Sequence, residues 1–140
     1  MYKLLTFLLL FSCININAQN TILYSDFNDA TVGTNSVIDS MWSISTSTSY
    51  RWRVDKGYTS SSNTGPSSGY GGAGNYVYTE ASCSSCDGAI TELSSDTISF
   101  TGVSNPNLVF YYHKYGDEMG DLFIEIYDSV AWYTVDSIIG

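Results

Sequence analysis

The sequence predicts an all-β protein, a jelly-roll-like antiparallel β-sandwich. Three observations carry that reading. Short runs of β-branched and aromatic residues recur along the chain, the composition of pleated, half-buried strands. Between them lie stretches rich in Gly, Ser, Thr and Asn, which turn the chain. Past an apolar leader no segment has helical periodicity, and short strands so spaced pack face to face as a sandwich or jelly roll.

The chain has 140 residues, enough for one domain with a core. Tyr is over-represented, with twelve, and the formal charge is −9. That charge argues against nucleic acid, whose phosphates need clustered Lys and Arg, and against an electrostatic hold on anionic lipid. Residues 1–18 read as a signal peptide. Lys3 supplies the positive start, Leu4 to Phe11 the apolar run, and Ala18 a small residue before Gln19. The run is too short to span a bilayer. Leu10-Phe11-Ser12-Cys13 loosely matches a lipoprotein box that would lipidate Cys13, although Phe11 fits it poorly. The chain is therefore expected to be secreted or held at the cell surface, with residues 21–140 as its domain.

Thr21 to Phe27 reads as a first short strand, and Trp42 to Ser45 alternates as a second. Ser45 to Tyr50 is strand or loop, a choice periodicity leaves open. Tyr50, Trp52 and Val54 share one face of the next strand, and Arg51 and Arg53 share the other, which predicts one wet side. Gly57 to Gly74 is loop. Within it Gly69-Tyr70-Gly71-Gly72-Ala73-Gly74 matches G-x-G-x-x-G literally. A phosphate cradle needs a helix after the glycines, whereas Asn75 to Glu80 reads as strand, so the match is set aside. Ala89 to Leu93 and Asp96 to Phe100 follow as short strands. Leu108 to Tyr112 and Leu122 to Tyr127 flank a polar turn, Gly116 to Asp121, and are expected to pair as the central hairpin. Asp128 to Ala131 is a turn, and Trp132 to Ile138 starts a last strand. No later segment is available to pair with it, so the domain is expected to be the truncated opening part of a longer protein.

In order along the chain, Asp26-Phe27, Trp52-Arg53, Gly65-Pro66-Ser67, Tyr76 to Ser82, Ala89 to Ser95, and Leu108 to Tyr115 with Gly116, Met119, Gly120 and Leu122 resemble the MAM domain. This is an extracellular module with a concanavalin-like β-sandwich, named for meprins, a neuropilin precursor and receptor tyrosine phosphatases. The chain looks most like bacterial secreted versions. The resemblance spans Thr21 to Gly140 and implies a non-catalytic recognition or adhesion module making protein–protein contact at the cell surface. Two other classes stay open: an accessory module of a secreted peptidase or other hydrolase whose catalytic domain lies outside these residues, and a carbohydrate-binding jelly roll. The chain departs from the family where Asn28 and Ser68-Gly69 stand in place of acids that belong to a cation site in some members.

No catalytic constellation is legible. His113, the one histidine, lies in a predicted strand, and no nucleophile elbow accompanies it. Cys83-x-x-Cys86 lacks the second pair a zinc site needs and the strand–helix setting of a redox motif. An export-compartment disulfide is the reading it favours, with free or reactive thiols as the alternative. Asp117, Glu118 and Asp121 do not follow the calcium-loop pattern and read as a solvated turn. The candidate cation ligands are Asp26, Asn28 and Asp55, for Ca²⁺. The binding-face candidates are Tyr58 and Tyr70, which sit in polar loop where a ring can meet protein or glycan.

Overall fold

The computed structural model describes residues 20–33, 38, 40–45, 50–80, 86–116 and 119–140. The leader, Cys13, Cys83, Asp117 and Glu118 lie outside the described residues. The described chain is all-β, with six strands: β1 (Trp42–Ile44), β2 (Trp52–Asp55), β3 (Tyr76–Thr79), β4 (Leu93–Ser95), β5 (Leu122–Tyr127) and β6 (Trp132–Ile138). A 3-10 turn at Tyr70–Gly72 is followed by β3, so an extended strand and not a helix leaves the glycine-rich run.

The strands pair as three two-stranded antiparallel sheets, β1–β4, β2–β3 and β5–β6. In β2–β3, Val54 lies opposite Val77 and Asp55 opposite Tyr76. Gly33 adds a bridge to Val54. The β1–β4 ladder sets Trp42 opposite Ser95 and gains backbone bonds at each end, Asp96 N to Met41 O and Ser45 N to Glu92 O. Phe27 packs its ring 5.8 Å from that of Trp42.

The central hairpin differs from expectation. β5 pairs with β6, not with Leu108–Tyr112, and residues 108–115 lie outside any ladder among the described residues. The reason is local. The Asp128 carboxylate accepts the backbone N–H groups of Val130 and Ala131, at 2.9 and 3.0 Å. Asp128 N donates to Ala131 O, and Ser129 adopts φ 79°. A four-residue turn so tied brings neighbouring strands together at a lower entropic cost than the longer loop through 113–121. Trp132–Ile138 thus pairs with a strand that precedes it in the chain. Residues 21–27, 89–92 and 97–100, also expected as strands, run without ladders among the described residues.

Apolar burial is concentrated. Among the described residues the buried hydrophobic side chains are Ile38, Val54 and Cys86, and Val54 is the deepest at 1% exposure. The wet side expected of β2 is half-buried, because Arg51 and Arg53 are both partly covered; long aliphatic stems allow that.

Candidate functional site

The loop joining β2 to β3 is fastened at many points. Tyr76 OH donates to Gly57 O at 2.7 Å. Ser60 and Ser61 Oγ each donate to the Glu80 carboxylate at 3.2 Å. Thr59 Oγ1 donates to Thr64 O at 2.9 Å, and Thr64 Oγ1 to Ser61 O at 3.1 Å. Asn63 takes φ 58° and Gly65 φ 66°. A Cβ on Gly65 would meet the Thr59 side chain at 2.6 Å, so only glycine suits both the left-handed backbone and the close approach.

Against this loop stands Tyr115. A Cβ on the next residue, Gly116, would sit 3.7 Å from Thr64 Cγ2, so the two segments touch. Between them lies a groove of about 470 Å³, lined by the loop from Tyr58 to Gly65 and by Tyr115. Tyr58 is 81% exposed and Tyr115 63%. Ser62 and Asn63 are exposed. Among the described residues, no Lys, Arg, Asp, Glu or His lines the groove. Further along the loop Tyr70 stacks on Tyr111, ring centroids 3.4 Å apart and planes 15° from parallel. The hydrogen bond with the Tyr111 phenol, and then its charge, hold the Tyr70 hydroxyl above the ordinary phenol range. A second, smaller groove of about 270 Å³ has a more apolar lining that includes Ile22, Leu23, Met41 and Ile98.

Of the binding-face candidates, Tyr58 is a groove wall, whereas Tyr70 presents only one ring face because Tyr111 covers the other. Tyr115, Ser62 and Asn63 join Tyr58 in the lining, although the sequence favours Tyr58 and Tyr70 over the other tyrosines. Tyr111 and Tyr112 lie in the strand expected over 108–112, yet they and Tyr115 are all exposed.

Of the cation candidates, Asp26 and Asn28 bond to each other, and Asn28 also bonds to Asn75, whereas Asp55 is bonded within its own turn. Asp26 Oδ1 accepts Asn28 N at 3.0 Å, and Asp26 Oδ2 accepts Asn28 Nδ2 at 2.8 Å. Asn28 Oδ1 in turn accepts Asn75 N at 2.9 Å, next to Tyr76, the register partner of Asp55. Asp55 Oδ1 accepts Lys56 N at 2.7 Å and Gly57 N at 3.2 Å. The Asn28 amide thus occupies itself with Asp26 and Asn75. Among the described residues no group of three His, Cys, Asp or Glu is placed to hold a metal ion. Cys86 is disulfide-bonded and its partner lies outside the described residues. His113 is exposed, its ring 6.4 Å from that of Tyr115.

No protein-family model matches the chain, and no solved structure matches it. No helix among the described residues is long and apolar enough to cross a membrane.

Proposed function

We propose that the chain is an exported, non-catalytic recognition module of the MAM type, making contacts at the cell surface. Its ribbons would belong to a jelly-roll-like sandwich. The observation that supports this reading is the tyrosine-walled groove. Tyr58 and Tyr115 stand exposed on a loop and a segment held by side-chain bonds and close contact. Exposed aromatics on a rigid support give contact area at small entropic cost.

The test is retention of the labelled, secreted full chain on intact cells of its own source. Retention should fall on changing Tyr58 and Tyr115 together to Ala, and should be unchanged for Tyr24→Ala, a tyrosine outside the groove lining. No retention of the unaltered chain would sink the reading. Calcium should raise the melting temperature only slightly, because the Asn28 amide already donates to the Asp26 carboxylate. A large rise removed by EDTA would instead mean that Asp26, Asn28 and Asp55 hold the ion.

A further inference from the structure

We infer that the groove between Tyr58 and Tyr115 is a subsite for a neutral saccharide, an inference that rests on the recognition reading above and names its ligand class. A pyranose ring has two kinds of surface, an axial C–H face and a rim of hydroxyls. The groove offers a counterpart for each. Two exposed phenol rings wall it, and an aromatic face, electron-rich at its centre, attracts C–H groups. Between them Ser62 and Asn63 are exposed, and together they offer donors and acceptors suited to sugar hydroxyls.

Three further features narrow the ligand. Among the described residues the lining holds no ionic side chain, and the nearby Glu80 carboxylate is engaged by Ser60 and Ser61. No described residue of the lining therefore forms an ion pair with a sulfate or carboxylate, and a chain of charge −9 repels both at range. The volume, about 470 Å³, falls within the range of small-molecule pockets, roughly 300–1,000 Å³. The loop is built in advance: Asn63 and Gly65 already hold left-handed conformations, and Thr59 and Thr64 close the turn. Little ordering remains to oppose binding.

The experiment presents the full secreted chain to immobilised neutral, sialylated and sulfated oligosaccharides, then titrates the best neutral hit by calorimetry. Neutral sugars should be retained over anionic ones. Tyr58→Ala and Tyr115→Ala should each weaken binding tenfold or more, while Tyr58→Phe keeps most of it, which separates loss of the platform from loss of the fold. Asn63→Gly preserves the left-handed turn and should weaken binding severalfold by removing the amide. Preference for anionic sugars, or affinity indifferent to both tyrosine-to-alanine changes, would overturn the assignment. So would an empty array beside intact retention on cells, an outcome that leaves the recognition reading standing.

Discussion

β2–β3 and β5–β6 are both antiparallel ribbons, yet they are held by different forces. β5–β6 has the longer ladder, from Leu122 opposite Ile138 to Tyr127 opposite Trp132, with a register shift between Ile124 and Glu125. Its side chains are open: Phe123, Ile126, Tyr127, Trp132, Tyr133 and Val135 are all exposed. β2–β3 is shorter, yet it contains Val54, the most deeply buried side chain among the described residues, and its loop is fastened by Tyr76 and Glu80. Backbone pairing organises a ribbon, but removal of apolar surface from water stabilises it. The short ribbon can therefore carry a site on its loop, while the long one presents surface.

The largest effect should come from Val54→Asp. A carboxylate in that position has lost its water, and the loss should be about 3 kcal/mol or more, read as the denaturation midpoint. Gly65→Ala should cost about 1–2 kcal/mol through its left-handed backbone alone, with the Thr59 contact adding to it. The same change should loosen the groove, seen as faster amide exchange across 59–65.

Alkaline pH should act on the short ribbon in a smaller way. Burial first, then the charges of Asp55 and Tyr78, push the Tyr76 phenol up to about 12 from 10.0. Between those values the unfolded chain gives up this proton and the folded chain keeps it. The contribution is therefore complete below about pH 10 and is lost as the pH rises through about 12. Stability measured across that window should fall less steeply in Tyr76→Phe than in the unaltered chain; identical slopes would remove Tyr76 as the cause. The smallest effect belongs to the long ribbon. Trp132→Ser should change stability by no more than about 0.5 kcal/mol, as exposed positions do. A larger loss would show that this face is covered and would erase the contrast between the ribbons.

Alternation placed β2, β3, β5 and β6 close to where they lie, because period 2 follows directly from the pleat. Partner choice was less legible. The pattern of Leu108–Tyr112 and that of Trp132–Ile138 look equally fit to pair with Leu122–Tyr127, and the choice falls to Asp128, whose carboxylate ties a tight turn. Nor does apolar character say which segments find a ladder: residues 21–27 and 97–100 have strand composition yet pair with none among the described residues. For the candidate site, Tyr58 was legible because it is an aromatic in polar loop. Tyr115 was not, because its run has strand composition, and only the approach of Gly116 to Thr64 brings it to the groove.

The two walls of that groove lie far apart along the chain, 115 − 58 = 57 positions. They are brought together by the Thr64–Gly116 approach and flanked by the Tyr70–Tyr111 stack. An unfolded chain separates them and has no groove. A molecule that needs both walls therefore binds the native state alone, and its free energy is added in full to that of folding, about 2.7 kcal/mol at a concentration of 100 Kd. Occupancy would thus be registered as resistance to unfolding. It would also be registered in residues 108–115, which have no ladder of their own among the described residues, as slower exchange with solvent.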